Sequence, residues 1–118
     1  MPENYTEKPK FFEFFKIEKQ GETLIIELTS ERLNRSTAAE FRRQLTDQTK
    51  SKRPSSLIID LAGLDLGDEM IGAILFTSRE MSISKENFIL CGASEGTKFK
   101  LRQFGVEEIL TIKDTADI

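Results

Sequence analysis

A chain of 118 residues, 38% hydrophobic and 31% charged with only 3 Pro and 7 Gly, is long enough for one packed core, too short for two, and unlike a disordered or fibrous protein. Its 17 Lys and Arg against 20 Asp and Glu leave a net charge of -3, which argues against a general nucleic-acid binder needing a basic stripe to displace counterions. One cysteine, Cys91, permits no intrachain disulfide; its setting in "FILCG" predicts a buried thiol, and the usage suits a reducing cytoplasm.

Residues 1–10, "MPENYTEKPK", read as a disordered tail ahead of a domain over 11–118. The tail lacks the apolar core of a signal peptide, and no run approaches the roughly 20 apolar residues that span a bilayer. The expectation is a cytoplasmic protein without membrane insertion. "FFEFFKIEKQGETLIIELT" then gives two apolar runs around "EKQGE", a β-hairpin with Gly21 in the tight turn. Continuous alternation across "FFEFF" places Phe12 and Phe14 on one strand face and Phe11 and Phe15 on the other. One pair belongs to the core and the other is covered by the tail; the alternative is a homodimer or partner contact, as exposed apolar patches mark interfaces.

"NRSTAAEFRRQLTDQTKSK" carries Ala38, Phe41 and Leu45 on one helical face, and Thr37 with Glu40 has the spacing of a capping box. A helix is predicted from about Thr37 to Lys50, stopped by Pro54. The cations Arg35, Arg42, Arg43, Lys50, Lys52 and Arg53 lie on or after it, where the last turn favours positive charge. "SSLIIDLAGL" is the third strand, apolar enough to sit centrally in a sheet. Residues 70–81 form a helix apolar over most of its circumference, hence largely buried. "NFILCG" is the fourth strand, "SEGTKFKLRQFG" a helix capped by Ser94 with Leu101 and Phe104 inward and Gly105 as its stop, and "VEEILTIK" the fifth strand. Alternating βα units after a hairpin predict an α/β fold: a five-stranded, mainly parallel mixed sheet with helices mostly on one face.

The chain has no histidine, so the usual general base and the commonest metal ligand are missing. No phosphate-loop or dinucleotide-binding glycine pattern occurs; Gly92 and Gly96 have the wrong spacing for either. Neither a metal nor an organic cofactor is expected, and the chain reads as non-enzymatic. Three acids, Asp65, Asp68 and Glu69, could offer oxygen ligands to a hard cation, but they share one short loop with no opposing carboxylate. The simpler expectation is that Asp68 caps the next helix while Glu69 in its first turn meets the positive helix end, each effect worth roughly 0.3–2 kcal/mol.

Four stretches in this order resemble the STAS domain, the fold of bacterial anti-sigma factor antagonists, over roughly residues 12–113. "ERLNRSTAAEFRR" is similar to the family's G-x-L-D-x-x-T-A-x-x-L segment, with Leu33, Asn34, Thr37 and Ala38 at matching places. "LIIDLAGLDLGDEM" resembles the strand and loop leading to its D-S-S-G motif, "IGAILF" the helix after it, and "FILCGASEGTKFKLRQFGVEEIL" the closing strand, helix and strand.

The resemblance implies a protein-interaction module whose partner is an anti-sigma factor or a kinase of the same ATP-binding family. In such antagonists the second serine of D-S-S-G is phosphorylated, a charge switch inside a docking surface. Here that serine is replaced. Counting forward from Asp60 puts Glu69 at the first serine and Met70 at the phosphorylated one; counting back from Cys91 puts Glu69 at the phosphorylated position. Both registers imply that serine phosphorylation in this loop does not regulate the chain. By resemblance the partner-binding residues are Asn34, Ser36, Thr37, Asp68, Glu69, Met70 and Ile71. The alternative implied function is a regulatory or structural subunit of a membrane transport assembly, since STAS domains also occur there.

Overall fold

Period-two alternation of apolar residues builds the sheet, because successive side chains of a strand point to opposite faces. In the computed structural model, which describes residues 8–30 and 33–114, β2 (Phe15–Gln20), β3 (Thr23–Leu28), β4 (Ser56–Asp60) and β5 (Phe88–Cys91) bury alternate positions. With β1 (Lys10–Phe11) and β6 (Thr111–Lys113) they form one sheet in chain order, β1 to β6. The first three strands are antiparallel and the last four run parallel. The register aligns Ile17, Ile26, Ile59, Leu90 and Ile112 in a row across the sheet.

The helices are α1 (Ala38–Lys52), α2 (Asp68–Met81) and α3 (Glu95–Gln103). Each crosses between adjacent parallel strands, and right-handed crossovers that always add the next strand on the same side put every helix on one face. Phe41 and Leu45 of α1, Ile71 and Ile74 of α2 and Leu101 of α3 accordingly join the inward strand residues in a single core. Phe41 meets Phe14 and Phe15 edge-on, with ring centroids 6.0 and 6.3 Å apart, an arrangement whose truncation to alanine costs about 3–5 kcal/mol. Among the described residues no helix is long and apolar enough to cross a membrane.

The hairpin is as expected: Gln20 pairs with Thr23 across a turn in which Gly21 has φ 60°. Four expectations need correction. The sheet has six strands, because Lys10 and Phe11 bond antiparallel to Ile17 and Lys16 as a short edge; of the expected tail, residues 1–7 lie outside the described residues. "FFEFF" is not one strand. The chain bends at Glu13 and Phe14, where the Phe12 N–H donates to the Phe15 carbonyl at 2.8 Å. Phe14 and Phe15 are therefore both buried, Phe12 packs against the core, and Phe11 alone is open, at 76% exposure. Phe104 sits past the end of α3 and is exposed, and residues 106–108 form a 3₁₀ turn that leaves the last strand only three residues.

Cys91 is buried at the end of β5. Burial, with the nearby Asp60 charge, pushes its thiol up to about 11. A raised folded-state value means that the neutral thiol suits the fold: stability is intact below the ordinary thiol range of about 8.5 and falls as pH rises toward about 11. Ellman's reagent at pH 8 should modify Cys91 roughly 100-fold more slowly in the native protein than in guanidinium. Equal rates would contradict its burial.

Candidate functional site

The loop between β4 and α2, residues 61–67, is held mainly by backbone bonds to what lies beside it. The Leu61 N–H donates to the Cys91 carbonyl at 2.8 Å and the Gly63 N–H to the Gly92 carbonyl at 2.6 Å. Asp60 Oδ1 accepts from the Ala62 N–H at 2.9 Å. Gly92 makes this approach feasible: it has φ +68°, and a Cβ there would lie 2.3 Å from Asp60 Oδ1.

The far end of the loop is tied to α3. Thr97 Oγ1, fully buried, accepts from the Leu66 N–H at 3.0 Å and donates to the Leu64 carbonyl at 3.2 Å. Ser94 caps α3 as expected, accepting from the Thr97 N–H at 3.2 Å, and its hydroxyl donates to Asp65 Oδ1 at 2.5 Å. One side chain on α3 thus satisfies a buried donor and a half-buried acceptor of the loop.

With Leu66 fixed, the cap of α2 falls on Gly67, whose carbonyl accepts from the Met70 and Ile71 N–H groups at 3.1 and 3.2 Å. Asp68 is the first helical residue and makes no capping bond, contrary to expectation; its carboxylate faces Lys100 Nζ at 3.9 Å. Asp68 and Glu69 still place charge against the positive helix end, an effect of about 0.3–1 kcal/mol. Glu69 is exposed, with Oε1 3.7 Å from Arg35 Nε. Met70 and Ile71 point into the core and are not surface residues in this conformation. The three acids of the loop diverge, Asp65 to Ser94, Asp68 to Lys100 and Glu69 to Arg35. No group of three or more His, Cys, Asp or Glu among the described residues is placed to hold a metal ion.

Opposite Glu69 lies the turn that leads into α1. Its capping box joins Asn34 and Thr37, not Thr37 and Glu40: Asn34 Oδ1 accepts from the Ser36 N–H at 2.9 Å, and Thr37 Oγ1 accepts from the Asn34 N–H at 3.0 Å. Asn34 takes this role because residues 35–37 form a 3₁₀ turn ahead of the helix. Asn34, Arg35 and Ser36 are exposed and Thr37 is half-buried. Glu40 bonds to Arg43 and Gln44 instead, and the Arg43 hydrogen bond holds its carboxyl down at about 2.

Between α1 and α2 runs a groove of about 520 Å³. Small residues Ala38, Ala39 and Gly72 line it together with Phe76, and Arg35, Arg42 and Arg79 supply its charge beside Glu69. Arg42 lies over the Phe76 ring, 5.0 Å from its centroid. Arg35 and Arg42 are thus groove residues, not helix-end cations; only Lys50 and Lys52 occupy the last turn of α1. The seven-residue step from Gly72 to Arg79 within α2 is a signal of this shared face, since seven residues make about two turns, whereas Arg35 lies on the 3₁₀ turn before α1 and gives none. The nearest hydroxyls along α2, Thr77 and Ser78, are buried, and Thr77 Oγ1 is paired with Thr46 Oγ1 at 3.0 Å.

Replacing Thr97 with valine keeps the shape and strands the Leu66 N–H and Leu64 carbonyl, which costs about 1–3 kcal/mol. Urea denaturation should show that loss for Thr97→Val and little for Thr97→Ser, with faster amide exchange at Leu66; an unchanged midpoint for Thr97→Val would show that the tie is not needed.

A family model described as the STAS domain matches residues 14–117. A solved anti-sigma factor antagonist from Mycobacterium paratuberculosis is 19% identical, with a TM-score of 0.70 and 87% of each chain covered. The protein TM1081 is 18% identical, with a TM-score of 0.66, covering 92% of this chain and 81% of that one. A serine-to-glutamate variant of RsbS from Moorella thermoacetica is 19% identical, with a TM-score of 0.63 over 84% of this chain and 85% of that one. A sequence comparison with curated proteins returns no match. At these identities the solved structures speak for the fold, and it is the family match over nearly the whole chain that makes this protein a member of the STAS domain family.

Proposed function

We propose that the chain is a non-enzymatic interaction module of a bacterial partner-switching system, acting like an anti-sigma factor antagonist toward an anti-sigma factor or a kinase of the same ATP-binding family. The docking surface is the exposed part of the site, Asn34, Ser36 and Thr37 on the turn before α1 and Asp68 and Glu69 at the start of α2. Met70 and Ile71 support that surface from beneath.

One observation carries the reading: where α2 emerges, the outward residue is a carboxylate, Glu69, and the next is the buried Met70. A modifiable serine must face solvent to meet a kinase, so the outward position favours the register in which Glu69 takes the place of the phosphorylated serine. Glu69 then acts as a permanent, partial substitute, one charge where phosphate adds about 1.5–2. The remaining hydroxyls between residues 65 and 78 are those of Thr77 and Ser78, both buried.

Incubation with the ATP-binding kinases of the source organism and ATP, followed by mass spectrometry, should leave residues 65–78 free of phosphate; a stoichiometric phosphate there contradicts the proposal. Calorimetric titration of the same partners should show binding that Glu69→Arg weakens by at least ~10-fold, as reversal of a docking charge requires. Binding indifferent to that change would place the docking surface elsewhere.

A further inference from the structure

We infer that the groove between α1 and α2 receives an acidic helical segment of the protein partner, gripped by Arg35, Arg42 and Arg79; this rests on the docking reading above. The charge pattern is the ground for it. Each acid on these two helices already faces a cation outside this trio or is held weakly. Glu40 and Asp47 pair with Arg43, Glu80 with Lys50 and Asp68 with Lys100. Glu69 meets Arg35 at 3.7 Å across an exposed gap, a pair that is readily exchanged in water. Among the described residues Arg42 and Arg79 have no acidic partner within 4.0 Å, although the whole chain is negative by -3. The groove is a cationic strip on an acidic protein.

Its shape narrows the occupant. Ala38, Ala39 and Gly72 project almost nothing, so another backbone can come close. Stacking on Phe76 holds the Arg42 guanidinium over an apolar surface while its N–H groups remain available, the setting in which arginine takes carboxylates in pairs. Arg35 on the turn before α1 and Arg42 on its second turn line the same groove, so acids spaced along a partner helix can meet both. A nucleic acid fits poorly: Glu69 lines the groove and the whole chain is negative by -3, so an extended phosphate backbone meets repulsion where a short acidic segment can end within the arginines.

The test uses a fluorescent helical peptide with glutamates two turns apart and leucines between them, and the same peptide with lysines in their place. Anisotropy should show binding of the glutamate peptide that weakens with salt, little binding of the lysine peptide, and at least ~10-fold loss in Arg42→Glu/Arg79→Glu, with ¹H–¹⁵N shifts at Ala38, Ala39, Gly72 and Phe76 and a folded spectrum for the variant. Equal binding by the double variant, preference for the lysine peptide, or tighter binding of inorganic phosphate or a DNA duplex in the groove overturns the inference. The cognate ATP-binding partner separates the two levels. If Ala39→Trp blocks it while Arg42→Glu/Arg79→Glu does not, the acidic segment is wrong and the docking reading survives; if neither variant matters, both fall.

Discussion

The buried hydroxyl of Thr97 sets the geometry on which the site depends. By meeting the Leu66 N–H and the Leu64 carbonyl together, it fixes where the loop after β4 ends and so which residue opens α2. At 3.6 residues per turn, choosing the first residue of a helix chooses the direction of every later one. Gly67 as cap sends Met70, Ile71 and Ile74 into the core and turns Glu69 toward Arg35. A cap one residue later would rotate the helix by about 100° and exchange inner for outer positions. The stitching of Leu61 and Gly63 to the end of β5 serves the same purpose at the other end of the loop.

A rigid helix start is what a docking surface needs, because a partner recognises charges at fixed positions and loses affinity when they must first be ordered. Here the fixed charge is a carboxylate at the mouth of an arginine-lined groove. In the proposed register a glutamate stands where a hydroxyl would let the charge come and go, and makes that charge permanent and of lower magnitude. Pairing with Arg35 is loose enough for a partner to compete. The site therefore combines a constant negative point with a positive strip, and in the proposed docking mode both together orient the partner.

Much of the fold was legible because local and global signals agreed. Gly21 between two alternating runs, Ser94 ahead of an amphipathic stretch and the continuous apolar "SSLIID" all say the same thing locally and in the sheet. The errors fall where tertiary contacts decide. Asp68 has the residue type of a cap, but the tie of Leu66 to Thr97 moves the cap to Gly67. "FFEFF" has the alternation of a strand, but a bend at Glu13 and Phe14 lets two consecutive phenylalanines enter the core. The role of Thr97 left no local trace, since its partners lie 31 and 33 residues away. The groove was half legible: Arg35 and Arg42 stand out in the sequence as cations near one helix, but the face that they share with Arg79 of α2 exists only once the helices pack.

The most direct measurement is the ¹H–¹⁵N spectrum of the labelled chain titrated with the proposed ATP-binding partner. The proposed docking mode requires the largest amide shifts at residues 34–39 and 68–76, on the turn before α1 and the first half of α2. Shifts confined to the open face of the sheet, along the Ile25, Ile58 and Ile89 row, with residues 34–39 and 68–76 unmoved, would contradict it.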